Sequence, residues 1–562
     1  MRTETTTRPL RELVRGFHSG AILLPQFQRD FVWKSAKIRN LLDSLLKGFP
    51  IGGFYLWRPA GGTRDPKPKA HGEQRIAAEF VGYLIDGQQR LTSLEAAFGL
   101  YSGEDKDGAE LRCYLDLAAP EVEGARDTRL FASYAGNKSV ARRVEGGDPT
   151  LIEVSRLFGG PDHDLRKQTD ETLRLIPSWD AKRVVTTLAR FDRACEMLNQ
   201  QVPCTTVYDV GDKEAVEVFS RLNKGGSALS QGDVRAAELA RGRAVDVLTS
   251  MREFVTGERP QRLGFGFSFA FRALVVFHRE SAQFSKLKPD WMDAPAQHGR
   301  SLRESWRATE RAIDKSLCFV DERMGWSRRA LLPSANAVIV LAAALDKAEF
   351  KLSADADQLY RRWLSLTALR GVFRGSVETT INRFHRAIRE SKREPATALM
   401  DALKRDEKRR IRADELNSFA QPWGPATQVM HAWLVGKEAK DWLSSDPMDA
   451  LARAGNLSLP GGDLTVHHIF ARRVLADVVD NPNHANSPAN YALLSRSSNS
   501  EFGDKRPEEV LSMLTPDQRK LAAVQFFGDP AGDKLKPGRY EEFCQWRAER
   551  LAESINDWLG MD

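Results

Sequence analysis

The sequence predicts a multidomain α+β fold: an α/β N-terminal part, a helical middle and a separate C-terminal part. Three observations predict it. The chain has 562 residues, more than one core of ordinary size organises. Extended apolar stretches alternate with helical periodicity up to about residue 100, whereas the chain from about 180 to 440 reads as mostly helical. From about residue 456 a segment bearing His and Asn precedes a closing amphipathic helix. Domains are expected at 1–240, 241–440 and 441–562.

Taken in order, Leu10–Gly16 reads as a short helix, followed by the extended piece Ala21–Pro25 and by Gln26-Phe27-Gln28-Arg29-Asp30-Phe31-Val32-Trp33. From Ser35 to Lys47, Ile38, Leu41, Leu42, Leu45 and Leu46 recur at helical spacing, and Gly48 stands where that helix should stop. Phe54–Trp57 reads as a strand, and Pro59 to about Gln74 as a Gly/Pro/Lys-rich loop. Phe80–Ile85 is a second strand running into Asp86-Gly87-Gln88-Gln89-Arg90, after which a helix spans Leu91 to about Leu100. Ala215–Leu222 should form a helix ending at Asn223-Lys224-Gly225-Gly226, with Ser230 capping the next one. Ser301–Cys318, Ala354–Leu369 and Val377–Arg389 are amphipathic. In Tyr540–Leu559, Phe543, Trp546, Leu551, Ile555 and Trp558 form one apolar stripe.

Hydrophobic residues make up 42% of the chain, enough for packed cores and too many for disorder. The longest apolar run, around Ala337–Leu345, falls short of the ~20 residues of a membrane helix. Met1-Arg2-Thr3-Glu4-Thr5 has no apolar signal region, so no membrane partner and a cytoplasmic location are expected. Cys113, Cys195, Cys204, Cys318 and Cys544 are scattered, which indicates neither a zinc ribbon nor a disulfide framework. The 83 Lys+Arg against 76 Asp+Glu give a net charge of +7, compatible with a polyanionic partner. The basic run Lys404–Arg412 either tracks phosphates or forms a solvated helix face of mixed charge.

Chemistry concentrates in two places. Val466-His467-His468-Ile469-Phe470 is followed by Asn490 and Asn499. Phosphodiester cleavage needs a base to activate water and a cation to hold the scissile phosphate. A neutral imidazole suits the first task, and nitrogen and carbonyl-oxygen donors suit Mg or Mn. His468 is the candidate base, His467 and Asn499 the candidate metal ligands, and Asn490 the brace of the loop. Singly, the two asparagines would be turn residues; the ordered set points to a nuclease.

The second place is the Asp86–Arg90 turn between strand and helix. There backbone donors and a helix N-terminus can meet an anion, Arg90 offers a planar fork for phosphate, and Asp86 can hold a cation or a ribose hydroxyl. Gln88 and Gln89 can orient water or contact bases. Gln28 and Arg29, close to three aromatics, add an amide and a guanidinium beside a stacking surface. A plain structural turn is the competing reading.

Leu24–Trp33, Gly48-Phe49-Pro50-Ile51-Gly52, Leu84–Leu94 and Phe219–Asp233 together resemble the DUF262 family, and the C-terminal segment resembles the DUF1524 branch of His-Asn-His (HNH) nucleases. Fusions of the two are similar to the GmrSD type IV restriction enzymes and to the BrxU-like and phosphorothioate-sensing SspE-like phage-defence proteins. The resemblance implies a ParB-like fold for the N-terminal domain and a ββα-metal fold for the C-terminal one. It implies NTP (GTP or ATP) binding or hydrolysis by Gln28, Arg29, Asp86, Gly87, Gln88, Gln89 and Arg90, and DNA cleavage or nicking by His467, His468, Asn490 and Asn499. Many relatives carry Asp or Glu before the catalytic His and Pro two residues after it, where this chain has His467 and Phe470; an imidazole can replace that carboxylate as a ligand.

The expected function is therefore that of a modification-dependent restriction endonuclease, regulated by NTP and acting on modified or phage DNA. The sequence leaves open the modification sensed (glucosylated hydroxymethylcytosine, a backbone phosphorothioate, or none), the NTP, and the oligomeric state, a homo-oligomer included. A nucleotide-switched DNA-binding adaptor with an inactive HNH fold and an RNA-directed nuclease are the alternatives.

Overall fold

Thr-rich Arg2–Pro9 folds as strand β1, since branched Cβ atoms favour extended backbone. It was not foreseen, because its exposed residues show no apolar alternation. The computed structural model describes residues 1–25, 28, 31, 33–59, 77, 79–100, 112–119, 130–133, 137–160, 162–223, 245–283, 287, 291, 299–455, 461–476, 478, 485–528 and 532–561. These divide into two compact units, Met1–Arg243 and Ala244–Asp562.

In the first unit the further strands are β2 (Ile22–Leu23), β3 (Phe54–Arg58), β4 (Gly82–Asp86), β5 (Cys113–Asp116), β6 (Phe131–Ser133), β7 (Leu151–Glu153) and β8 (Gln201–Tyr208). The main sheet is mixed, in the order β1-β8-β3-β4-β2; β1–β8 and β3–β4 are antiparallel, β8–β3 and β4–β2 parallel. A smaller antiparallel sheet has the order β6-β5-β7.

Strand alternation sends side chains to both faces of the main sheet. Phe54, Leu56 and Leu84 join one core with Leu10, Leu13, Val14 and Phe17 of the helix Leu10–Ser19 and with Ile38, Leu41, Leu42, Leu45 and Leu46 of the helix Ser35–Leu46. Those last five are the residues whose spacing predicted the helix. On the other face Trp57, Tyr83, Ile85 and Val207 pack with Ala215 and Phe219 of the helix Asp212–Asn223. The helix after β4 begins at Gln88 and ends at Ala97, earlier than expected, because Gly87 in the left-handed region (φ 104°) already serves as its N-cap. Most of the expected Pro59–Gln74 loop, the Lys224–Gly226 stop and the Ser230 cap lie outside the described residues.

In the second unit the helix Leu302–Met324 starts at a reciprocal Ser301–Glu304 capping box and stops at left-handed Gly325, so it outruns the expected end at Cys318. Ala337–Leu345, the longest apolar run of the sequence, is buried on every side in the helix Ala335–Lys347. The helices Ala354–Leu369, Val377–Glu390 and Pro425–Gly436 surround the same core. That core continues without a break into strands β9 (Leu464–His468) and β10 (Tyr491–Ser495) and the closing helix Tyr540–Trp558. Residues of the expected segments 241–440 and 441–562 thus share one core. In the basic run only Arg405–Lys408 is helical. Its cations are interspersed with acids, Arg412 pairing with Asp414 and Glu407 with Arg383, which gives a mixed-charge surface. Among the described residues no helix is long and apolar enough to cross a membrane.

Candidate active site

Strand β9 pairs antiparallel with β10, His468 opposite Tyr491 and His467 opposite Ala492, and β10 runs directly into the helix Arg496–Phe502. The order is strand, strand, helix. Neighbours on a strand face opposite ways, so the two histidines have different surroundings. His467 is buried on the side of the helix, its Nδ1 2.8 Å from Asn499 Oδ1 and its ring near Phe502. With Nδ1–H donated to that oxygen, the lone pair lies on Nε2, which has no hydrogen bond among the described residues. Burial pushes His467 down to about 4, against the opposing pull of the Asn499 bond and with a further push from His468. The ring is neutral at physiological pH, the form a metal ligand requires.

His468 is half-buried. Its ring meets the Tyr491 ring edge-on at 5.2 Å, and its Nε2 lies 3.1 Å from Asn486 Oδ1. Burial lowers its pKa from the usual value; the Asn486 contact opposes this and nearby Arg472 adds to it.

Asn490 is fully buried. Its Nδ2 donates to Phe470 O (3.1 Å) and Ala485 O (2.9 Å), and its Oδ1 accepts from Phe470 N–H at 2.8 Å. These bonds tie Phe470, just past the end of β9, to Ala485, ahead of β10. Behind Asn490, buried Arg547 of the closing helix donates to Pro488 O, Ala489 O and Gln525 O. Burial pushes this guanidinium down to about 10. The Gln525 side chain pairs with both N–H and C=O of Leu493, finishing the backbone hydrogen bonds of β10 as a further strand would. Asp441, fully buried, accepts from Ser495 N–H at 2.6 Å, from Ser498 Oγ–H at 2.6 Å, and from Leu443 and Ser444 N–H, so it holds the start of the helix that carries Asn499.

In the N-terminal unit the Asp86–Arg90 turn is built differently from expectation. Arg90 donates to Ile51 O (2.7 Å), Gly53 O (2.8 Å) and Asp86 Oδ2 (3.1 Å), and its guanidinium stacks 4.6 Å from the Phe54 ring. Burial lowers its pKa and Asp86 partly restores it. Gln28 Nε2 donates to Leu84 O and Ile85 O, both at 2.9 Å, and Gln88 and Gln89 are buried. The fork expected for phosphate thus staples the chain before β3 to the turn, and the Gln28 amide finishes the backbone of β4. The structure brings Asp86, Arg90, Gln28 and the two glutamines around one strand end; Arg29 lies outside the described residues.

Residues 10–240 match the family described as the GmrSD restriction endonuclease, N-terminal domain. An uncharacterized protein of Methanocaldococcus jannaschii is 36% identical over 102 residues, which make up 17% of this chain and 17% of that protein. The chain therefore spans a small part of the curated relative it matches. The family match covers every candidate residue of the N-terminal turn and ends well before His467.

Asn486, Arg472, Asp441, Gln525 and Arg547 were missed by sequence reasoning. Asn486 and Arg472 carried a usable signal, since both are polar residues inside the His468–Asn490 interval. Asp441, Gln525 and Arg547 carried none, being brought to the site by packing alone.

Proposed function

We propose that this protein is a metal-dependent HNH DNA endonuclease of the modification-dependent restriction type, which nicks or cuts phage DNA under control of an NTP at its N-terminal unit. The observation that carries the reading is the convergence of His467 with Asn499, and of His468 with a positioned amide, on consecutive strand, strand and helix. The match of residues 10–240 to a restriction endonuclease N-terminal domain supports the same conclusion from the other end of the chain.

The donor set fits a hard divalent cation. It offers one neutral imidazole nitrogen, Nε2 of His467, oriented by the Asn499 oxygen that accepts from Nδ1–H, and a hard cation readily keeps water and phosphate oxygens for its remaining positions. Among the described residues no cluster of three or more His, Cys, Asp or Glu exists to hold a thiolate- or carboxylate-rich metal instead. When bound, Mg or Mn would polarise the scissile phosphate and stabilise the leaving oxygen. His468, kept neutral by burial, takes the proton of the attacking water. Asn490 holds the intervening loop so that base and ligands keep their spacing.

Supercoiled plasmid, unmodified, phosphorothioated or carrying glucosylated hydroxymethylcytosine, is incubated with protein and Mn or Mg, with and without GTP or ATP, beside His468→Ala. Nicking or linearisation that requires His468 and is abolished by chelator is expected, with NTP and modification changing its rate. Binding of DNA and nucleotide with no cleavage under any condition would replace this reading by that of an adaptor.

A further inference from the structure

Among the described residues the His468 imidazole is held at one nitrogen only. Its Nε2 lies 3.1 Å from Asn486 Oδ1, and the same oxygen receives an Nη2–H of Arg472 at 2.7 Å. A guanidinium can only donate, so the atom it meets is the amide oxygen, and an amide oxygen can only accept. Nε2 must therefore carry the proton, which leaves the lone pair of the neutral ring on Nδ1. Nδ1 has no hydrogen bond among the described residues. Asn486 is itself anchored: it is 7% exposed, and its backbone carbonyl accepts from Ala420 N–H at 2.8 Å. The hydroxyl of Tyr491, the ring that His468 meets edge-on, donates to Ala420 O at 2.8 Å, so one short segment anchors both neighbours of the imidazole.

We propose that Asn486, oriented by Arg472, is a positioning residue that fixes His468 as the Nε2–H tautomer and so makes Nδ1 the atom that accepts the proton of water. This rests on the nuclease reading above. A carboxylate or a backbone carbonyl would serve the same end in other sites; here a neutral amide does so, and it needs the arginine to keep its oxygen turned inward.

The test compares wild type, Asn486→Leu, Asn486→Asp, Arg472→Met and His468→Ala by plasmid nicking at saturating and limiting DNA, and by ¹⁵N spectra of the imidazole ring, which separate the two tautomers. Asn486→Leu is expected to lower kcat on the order of 10- to 100-fold with KM unchanged and with loss of the Nε2–H pattern. Asn486→Asp, which still accepts from both partners, should recover most of kcat and the pattern. Arg472→Met should lose a smaller factor. Full activity of Asn486→Leu with an unchanged tautomer overturns the proposal, as does a loss that Asn486→Asp fails to recover while the tautomer stays the same. A wild-type protein that never cuts, or His468→Ala that cuts normally, overturns the nuclease reading instead, and the ring spectra then still decide whether Asn486 sets the tautomer.

Discussion

His467 Nδ1 and Asn499 Oδ1, 32 residues apart, meet at 2.8 Å between the end of β9 and the helix that follows β10. One comes from a strand and the other from the middle of a helix, so their meeting depends on the whole strand-strand-helix unit. Replacing either by Ala should weaken Mn binding by at least the ~10- to 100-fold that follows loss of an outer-shell partner, and nicking should fall with it. Calorimetric titration of Mn into each variant checks this; an affinity equal to wild type in both would remove the cation from this pair.

Asn490 is predicted to matter for folding before it matters for chemistry. Asn490→Ala leaves Phe470 N–H, Phe470 O and Ala485 O without the partners they have now. A buried polar group left unpaired costs about 1–3 kcal/mol, so the urea midpoint should drop visibly and cleavage should fall because the loop loses its brace. Asn490→Asp should be no rescue, because a carboxylate cannot donate to the two carbonyls. A variant with wild-type stability would show that the loop is held elsewhere.

The parts of this protein legible in the sequence are those governed by local rules. The helix Ser35–Leu46 was predicted from five apolar residues that are all buried, and the helix Ala354–Leu369 was predicted to the residue. Strand β1 escaped because its stability comes from pairing with β8, some 200 residues away, rather than from an apolar face. The site shows the same division. The order of His467, His468, Asn490 and Asn499 named residues that the fold brings to one strand pair and its helix. Asp441, Gln525 and Arg547, which hold that unit, are isolated polar residues in otherwise ordinary helix and loop sequence. At the N-terminal turn the residue types suggested a phosphate grip, but the carbonyls of Ile51 and Gly53 occupy the Arg90 fork, and no sequence rule places those carbonyls there.

Asp441 makes stability depend on acid in a definite direction. Burial works to raise its pKa, but hydrogen bonds from Ser444, Ser498, Ser495 and Leu443 outweigh it and hold the carboxyl below its ordinary value. A depressed folded pKa means that the group stabilises the native state fully above its unfolded value of ~3.9. That contribution is lost as pH falls through the folded value. The stability gap between wild type and Asp441→Asn should therefore be constant from neutral pH down to about pH 5 and shrink at lower pH. Urea unfolding across that range measures it; a gap that stays constant under acid would mean that the carboxylate charge contributes nothing.

The N-terminal turn sets two roles for Arg90 against each other, and the structure says how to separate them. Arg90→Ala removes donors from Ile51 O, Gly53 O and Asp86 and should destabilise the nucleotide-free protein by about 1–3 kcal/mol. Gly87→Ala should destabilise it through a different route. Its φ of 104° disfavours any side chain, and a Cβ there would lie 2.3 Å from the Phe54 ring on which Arg90 stacks. If the turn also binds nucleotide, Asp86→Asn, which keeps an acceptor for Arg90 while removing the charge, should cut NTP turnover with little loss of stability. Turnover by Asp86→Asn equal to wild type, alongside an Arg90→Ala protein that is destabilised as stated, would leave Arg90 a structural staple and move nucleotide chemistry away from this turn.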